Sequence, residues 1–262
     1  MARAWRPSYS CNYVISDIFG NASSLEVLLN RIFPLRFSED QKDVVIFLGN
    51  YIDIDENGCD VIEILIRIKQ EYPNEVVFLR GAHDQMMLSA ILAGEKDFNY
   101  WMENNGRSTI AGYLKKMESN ASEYSIGFNR LKDLIPKSHI QFLQETDHFY
   151  ILEDQYCLFN SGFNVKQPIR ENRLDNFCFD TTSGRYVKNA IRNKTPIEFI
   201  DPYVFVCSSN PQGKEPFIHP RYMMLGGTSP SKLISLELNS MAMSAVNKNK
   251  TRIYNYNYDV VE

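Results

Sequence analysis

Short apolar runs alternate with amphipathic stretches through the first third of the chain. Residues 13–15, 44–48 and 76–79 are uninterrupted apolar runs of the kind that forms buried strands. Each run ends in a polar or glycine-containing loop, and apolar residues at helical spacing follow the first two loops in residues 23–33 and 61–68. A third helix is predicted after the third loop. This repetition predicts a βαβαβ unit, which builds a largely parallel sheet with right-handed crossovers.

The remainder of the chain predicts more helix and then a second group of strands. Helical patterns cover residues 100–116 and 137–145, and Pro136 is well placed to start the second helix. The order of the elements favours an α/β fold, a layered sandwich with helices outside. Strands are predicted at residues 149–152 and 156–159, which flank a polar turn as in a hairpin, and at residues 203–206, 222–225 and 233–238.

The length of 262 residues is sufficient for one large domain. We assign residues 12–240 to that domain, residues 1–11 to an N-terminal extension and residues 241–262 to a C-terminal tail or edge strand. The five cysteines are widely spread without a C-x-x-C pair, which predicts reduced thiols. Because no stretch approaches the roughly 18 apolar residues of a membrane-spanning helix, we expect a soluble, cytoplasmic protein.

The charge of the chain argues against two classes of partner. The net charge is −4 and the pI is about 5.7, so the chain lacks the overall basic field that attracts nucleic acid or an anionic membrane. We therefore expect neither nucleic acid nor a membrane among its partners.

Polar residues and glycines gather in the three loops that follow the predicted parallel strands. These loops are residues 16–21, 49–53 and 81–84. Ligands of open α/β sheets bind just beyond the carboxyl ends of the strands. Glycine there allows unusual backbone angles and the close approach of a ligand. The sequence therefore predicts a candidate site built from these loops.

In order and spacing, the three loops resemble the G-D-x-H-G, G-D-x-x-D-R-G and G-N-H-E/D motifs of calcineurin-like metallophosphoesterases, in particular the bacterial and phage Ser/Thr protein phosphatases. Residues 101–106 resemble the W-x-x-N-G-G segment of that family. Residues 158–162 fall where the family has H-A-G, and residues 205–209 fall where it has V-G-H-T. The resemblance extends from about residue 12 to about residue 240. It implies a two-sheet β-sandwich flanked by helices, in four layers αββα.

The resemblance also implies a two-metal phosphatase site, most of whose ligands this chain has replaced. In such sites two divalent ions about 3.5–4 Å apart activate a water molecule and hold the phosphate. Asp17 matches a ligand of the first ion, whereas Phe19 stands in place of a histidine and Asn50 in place of the bridging aspartate. Where the second ion takes an asparagine and two histidines, the chain has Ala82, Asn160 and Ser208.

Loss of the bridging carboxylate is the most severe of these replacements. Two dications at the family spacing repel each other by roughly 19 kcal/mol at an effective dielectric constant of 20, and the uncharged amide of Asn50 cannot offset that repulsion. Phenylalanine offers no lone pair, and alanine and serine are absent or poor ligands. We therefore expect no dinuclear centre, and at most one weakly bound Mn, Mg or Zn ion on Asp17 and Asn50.

Some residues of the family's catalytic machinery are retained. The resemblance gives His83 the role of the acid–base histidine and Asp84 that of the carboxylate that orients it, although the pair could instead hold the loop by hydrogen bonding. Ile54 replaces the arginine that helps to hold phosphate in the family. A remnant cleft could still bind an anion through glycine-loop amides and an arginine. Its candidate ligand-binding residues are Arg80, Asp53 and Asn160.

Three functions remain open from the sequence. The leading hypothesis is a degenerate, catalytically inactive phosphatase-fold protein that acts as a binding or regulatory module for a phosphorylated or other protein partner. The alternative is a weak metal-dependent phosphoesterase, or Ser/Thr protein phosphatase, that hydrolyses phosphomonoesters with a single ion. The third is a purely structural protein whose cleft is filled by Phe19, in which case that ring should be buried and the cleft shallow.

Overall fold

A computed structural model of the protein describes residues 12–33, 43–210, 215–226, 232–247 and 250–254. The strands are β1 (Asn12–Ile15), β2 (Val44–Phe47), β3 (Val76–Phe78), β4 (Phe149–Leu152), β5 (Tyr156–Phe159), β6 (Val204–Cys207), β7 (Phe217–His219), β8 (Tyr222–Met224), β9 (Lys232–Glu237), β10 (Ala242–Asn247) and β11 (Lys250–Tyr254). The helices are α1 (Ala22–Ile32), α2 (Gly58–Glu71), α3 (Ala82–Leu92), α4 (Glu95–Trp101), α5 (Arg107–Lys116), α6 (Phe128–Leu134), α7 (Lys137–Gln144), α8 (Asn176–Phe179) and α9 (Thr182–Asn193).

The first sheet contains the predicted βαβαβ unit. Its strand order is β11-β10-β9-β1-β2-β3, and β1, β2 and β3 run parallel, with α1 and α2 as the crossovers. The parallel register places Val14 opposite Ile46 and Ile46 opposite Val77. Strand β9 pairs antiparallel with β1, and β10 and β11 continue the sheet to its edge. Two strands from the predicted C-terminal segment therefore form the edge of this sheet, whereas residues 1–11 lie outside the described residues.

The second sheet has the order β4-β5-β6-β8-β7. The predicted hairpin is confirmed, because β4 pairs antiparallel with β5 and Phe149 lies opposite Phe159. Strands β5, β6 and β8 run parallel, so that their carboxyl ends meet at one edge of the sheet. This sheet therefore presents loops in the same way as the parallel strands of the first sheet.

Three apolar cores separate four layers, which confirms the α/β sandwich with helices outside. Val14 and Ile46 of the first sheet pack against Leu158 and Val206 of the second, and all four side chains are fully buried. The opposite face of the first sheet packs against α1 to α7. The outer face of the second sheet packs against α8 and α9 through an aromatic core that includes Phe177. None of the helices in the described ranges is long and apolar enough to cross a membrane.

The long helix predicted at residues 100–116 is interrupted. Its first part, α4, runs into a π-helical turn at Met102–Gly106, and Asn105 within that turn has a left-handed φ of 75°. A Cβ at Gly106 would lie 2.7 Å from the ring of Trp101. The break therefore lets this buried indole pack directly against backbone. Apolar spacing alone does not show such a break, nor did it indicate α6, α8, α9 or β7.

Candidate active-site cleft

The candidate site is a cleft at the carboxyl ends of the central strands of both sheets. Asp17 follows β1, Asn50 follows β2, Asn160 follows β5 and Ser208 follows β6. Residues that are far apart in the sequence meet here because parallel strands deliver their following loops to the same edge. The cavity has a volume of about 270 Å³ and is lined by Asp17, Phe19, Asn50, Ile54, Ala82, His83, Asn160, Ser161, Cys178, Ser209 and Asn210.

The loops after β2 and β3 are pressed together at the floor of this cleft. A Cβ at Gly49, which has a φ of 104°, would lie 2.3 Å from the backbone nitrogen of Gly81. Only glycine allows both the backbone conformation and the contact. The close approach brings the backbone N–H of His83 to the side-chain oxygen of Asn50, at 3.0 Å.

A hydrogen-bond network joins three of the six residues that stand at the family's ligand positions, namely Asp17, Asn50 and Asn160. The side-chain amide nitrogen of Asn50 donates to Asp17 Oδ1 at 3.0 Å and to Asn160 Oδ1 at 3.3 Å. The amide nitrogen of Asn160 donates to the same Asp17 oxygen at 2.9 Å and to the carbonyl oxygen of Leu48 at 2.9 Å. Both amide groups thus use their N–H donors inside the protein, and Asp17 Oδ1 accepts two hydrogen bonds.

The environment of Asp17 disfavours its charge. Burial raises the pKa of this carboxyl to about 6, although hydrogen bonds from Ser208, Asn160 and Asn50 act in the opposite direction. Its backbone N–H donates to the hydroxyl oxygen of Ser208 at 2.8 Å. Ser208, which replaces a family histidine, therefore ties the loop after β1 to the loop after β6.

His83 is oriented by Asp53, which corrects the role given to Asp84 from the sequence. The ring nitrogen Nδ1 of His83 lies 2.8 Å from Asp53 Oδ2. Asp53 is fully buried and also accepts hydrogen bonds from Trp101 at 2.9 Å and from Thr109 at 2.6 Å. Burial lowers the pKa of His83, but the hydrogen bond and charge of Asp53, together with the charges of Asp84 and Asp17, raise it, and the net shift is upward. Trp101 belongs to a segment that the sequence singled out, whereas no sequence signal pointed to Thr109.

Asp84 instead holds the backbone of the two adjoining loops. Its carboxylate accepts N–H donors from Asn50 at 2.7 Å, Tyr51 at 2.9 Å and Gly81 at 2.8 Å. Burial raises the pKa of Asp84 to about 6 against the opposing effect of these three hydrogen bonds. The side chain is fully buried and lies in the first turn of α3, where a negative charge is favourable. The contacts of Asp84 therefore support a structural role, in which it holds the loops by hydrogen bonding.

Arg80 does not face the cleft, which corrects its assignment as an anion-binding residue. Its guanidinium donates to the carbonyl oxygens of Leu143, Gln144 and Thr146 and to the side chains of Thr146 and Gln85. These carbonyls lie at the end of α7, where helices leave backbone acceptors without partners and favour positive charge. Arg80 therefore anchors α7, and it is absent from the cavity wall.

Apolar side chains form much of the cleft wall. The half-buried ring of Phe19 meets the ring of His83 edge to face, with centroids 5.4 Å apart. Ile54 is 38% exposed and has a left-handed φ of 62°, a rare conformation for a β-branched residue. Ala82 and the buried Cys178 complete this wall, and nothing in the sequence indicated Cys178. Phe19 lines the cavity and leaves it open, whereas the purely structural hypothesis requires a ring that fills the cleft.

The donor set of this cleft does not fit two divalent ions. Asp17 brings one carboxylate, whereas the oxygens of Asn50 and Asn160 are engaged in hydrogen bonds. In the described part of the chain, no group of three or more His, Cys, Asp or Glu side chains is arranged to hold a metal. An N–H donor of Asn50 points at Asp17, where a cation would need a lone pair.

The fold and the position of the cleft at the strand ends are those of a metallophosphoesterase. A sequence model of the calcineurin-like phosphoesterase family matches residues 13–183. The chain therefore belongs to the calcineurin-like phosphoesterase family. The resemblance inferred from the three loops is thus confirmed.

Solved structures share the fold at low sequence identity. A protein named provisionally as a diadenosine tetraphosphatase is 13% identical with a TM-score of 0.59, covering 93% of this chain and 96% of its own. A serine/threonine phosphatase from Saccharomyces cerevisiae is 12% identical with a TM-score of 0.53, over 95% and 82% of the two chains. A cold-active protein-tyrosine phosphatase from a Shewanella species is 12% identical with a TM-score of 0.54, over 97% and 82%. No curated protein matches the chain in sequence.

Proposed function

We propose that this protein is a catalytically inactive member of its family that acts as a binding or regulatory module for another protein. The observation that carries the proposal is the amide of Asn50, whose nitrogen donates to both Asp17 and Asn160. Neutral N–H donors here satisfy the oxygens that a metal would otherwise need. The chain has kept the scaffold around the cleft while replacing the groups that hold two cations.

The partner is proposed to be a protein, with neither nucleic acid nor a membrane involved. The net charge of −4 supports the second part, because it gives no general attraction for polyanions. A phosphorylated partner has less support than the sequence suggested, because Arg80 is committed to α7. We propose a cytoplasmic location, which agrees with the spread cysteines that we interpret as reduced thiols.

A weak phosphoesterase that uses one divalent ion is the second candidate. The contact between His83 and Asp53 favours it, because a histidine oriented by a buried carboxylate is suited to proton transfer. In this case Asp17 and Asn50 would contribute oxygens to the ion. The amide network would first have to rearrange, since the Asn50 nitrogen now faces Asp17.

Metal content and phosphatase activity decide between the two candidates. We would dialyse the protein against Mn²⁺, measure bound metal by plasma mass spectrometry and assay turnover of p-nitrophenyl phosphate. The proposal expects no stoichiometric metal and no turnover above a buffer blank. Turnover that is lost in both Asp17→Ala and His83→Asn variants would establish the phosphoesterase and overturn the proposal.

A restored variant supplies the positive control. It carries Phe19→His, Asn50→Asp, Ala82→Asn, Asn160→His and Ser208→His together, so that each replaced position regains its family ligand. Metal binding by this variant, beside a metal-free parent, would show that side chains and not the backbone account for the difference. Stoichiometric metal binding by both the parent and the restored variant would count against the proposal.

A further inference from the structure

The carboxylate of Asp17 lies in the cleft wall and is hydrogen-bonded to uncharged groups. Its hydrogen-bond donors are the neutral groups of Asn50, Asn160 and Ser208. Among the residues the structure describes, Asp17 takes part in no ion pair. A carboxylate removed from water is costly unless a positive charge or sufficient hydrogen bonds compensate it.

The nearby cationic side chains are held by other groups. His83 acts on Asp17 through its charge alone, because its ring is bound through Nδ1 to Asp53. The guanidinium of Arg80 is directed at the end of α7. Lys188 donates to Asn210, and its Nζ lies 5.9 Å from the centre of the Phe217 ring. Within the described ranges no cationic side chain contacts the carboxylate of Asp17, and a positive charge in direct contact with it is left to an incoming group.

The remaining walls are suited to an organic cation. Phe19 presents an aromatic ring, which attracts a cation placed over its face, and Ile54 and Ala82 offer apolar contact for methylene groups. Ser161 and Ser209 line the same cavity. A serine hydroxyl can accept hydrogen bonds. The volume of about 270 Å³ is large compared with the ~30 Å³ share of one water molecule, so the cavity has room for a side-chain head group.

We infer that this cleft receives the guanidinium group of an arginine side chain from a protein partner, with Asp17 as its counter-ion. The inference rests on the proposed function, because a cleft that held divalent ions would repel a second cation. A guanidinium suits this cavity better than an ammonium, since it is less strongly hydrated, stacks on aromatic rings and carries five donors for several dispersed acceptors. The exposed side chain of Ile54 at the cleft then contacts the methylene groups of the arginine.

The test is a titration followed by the backbone amide NMR signals of the cleft residues. The probes are N-acetyl-L-arginine amide and methylguanidinium, with N-acetyl-L-citrulline amide as the neutral isostere, at about pH 8 and constant ionic strength. We expect the two guanidinium probes to bind in the millimolar range and the citrulline compound not to bind. Asp17→Asn should weaken guanidinium binding by about tenfold or more, because a charge-assisted hydrogen bond contributes ~1.5–3 kcal/mol.

Two further variants complete the test. Asp154→Asn removes an exposed carboxylate in the β4–β5 turn and should leave binding unchanged. Phe19→Leu should weaken binding about twofold to fivefold, the range expected for a cation–π contact of ~0.5–1 kcal/mol. A folded Asp17→Asn protein that binds as tightly as the parent would overturn the inference.

The probes also separate this inference from the proposed function. Equal binding of N-acetyl-L-lysine amide, or binding of methylguanidinium without the blocked arginine, would overturn the assignment of an arginine side chain. Failure of every guanidinium probe, together with absent phosphatase turnover, would remove the inference and leave the proposed function intact. Turnover with Mn²⁺, measured without any probe, would remove the proposed function itself.

Discussion

Replacing Asp17 by asparagine should make the protein more stable at neutral pH. In a working two-metal site the same change removes a metal ligand. Here Asp17 Oδ1 accepts both amide donors of the network, from Asn50 and Asn160. An asparagine can keep its oxygen at that position and turn its NH₂ group toward the cleft, so the network survives. The substitution then removes a charge that burial disfavours.

The pKa of Asp17 sets the size and the pH dependence of the effect. Burial raises it from 3.8 to about 6. The folded state therefore binds a proton more tightly than the unfolded state, and the parent protein loses stability as the pH rises through that range. The difference between a pKa of 3.8 and one of about 6 corresponds to ~3 kcal/mol, and solvent contact of the half-buried side chain reduces this to about 2 kcal/mol. The Asp17→Asn variant does not lose this stability, because asparagine does not ionise.

Urea unfolding of parent and variant across the pH range measures the difference. We expect equal free energies of unfolding near pH 4 and a gain of about 2 kcal/mol for Asp17→Asn near pH 8, with a melting temperature about 5 °C higher. Asp84→Asn is the matched control, because burial raises the pKa of Asp84 to about 6 as well. Both Asp84 oxygens accept backbone N–H groups, so an NH₂ there would face a donor. This variant should be less stable than the parent at every pH.

Two outcomes would refute this reasoning. If Asp17→Asn is no more stable than the parent near pH 8, the inference that the buried charge of Asp17 destabilises the folded protein is wrong. If the gain does not depend on pH, the effect comes from something other than ionisation of Asp17.

Three further predictions concern other residues in the first half of the chain. Gly112→Ala should destabilise the protein by several kcal/mol in urea unfolding, because its Cβ would lie 1.8 Å from the backbone oxygen of Glu56, whereas Gly127→Ala, with open space around it, should change little. Arg80→Lys should cost about 2 kcal/mol of unfolding free energy, because a lysine cannot reach the same set of α7 acceptors; equal stability would contradict the anchoring role. Asp53→Asn should lower the pKa of His83 in an NMR titration, because the hydrogen bond and charge of Asp53 raise it, and an unchanged pKa would contradict that cause.

The sequence predicts the scaffold well because the scaffold depends on local pattern and order. The run at 44–48 is apolar because its strand is buried on both faces, with Val45 and Phe47 toward the helices and Ile46 and Leu48 toward the second sheet. The residues that gather in the cleft could also be predicted, since parallel strands place their following loops at one edge. Asp17, Asn50, Asn160 and His83 accordingly line one cavity.

Side-chain direction could not be predicted in the same way. Asp84 is adjacent to His83 in the sequence and Asp53 lies 30 positions earlier, but which of them meets the histidine ring depends on how two loops pack. Arg80 lies three residues before His83, yet its direction is set by the carbonyls at the end of α7, more than 60 positions later. These contacts are long-range, and apolar periodicity carries no information about them.

The residues that replace the family's metal ligands form hydrogen bonds with one another, and these bonds keep the fold intact without the metal. If histidines stood at positions 160 and 208, the amide nitrogen of Asn50 would lack the acceptor oxygen that Asn160 now provides at 3.3 Å. Asn160 in turn needs Asp17 and the carbonyl of Leu48 for its own donors. Ser208 is short enough to accept the backbone N–H of Asp17, which a histidine directed at a metal would not do. A single reversion at Asn50, Asn160 or Ser208 should therefore break hydrogen bonds without creating a metal site, whereas the five reversions together restore the ligands. Each variant with one of these three reversions should be less stable than the parent in urea unfolding, because it leaves a buried polar group without its partner.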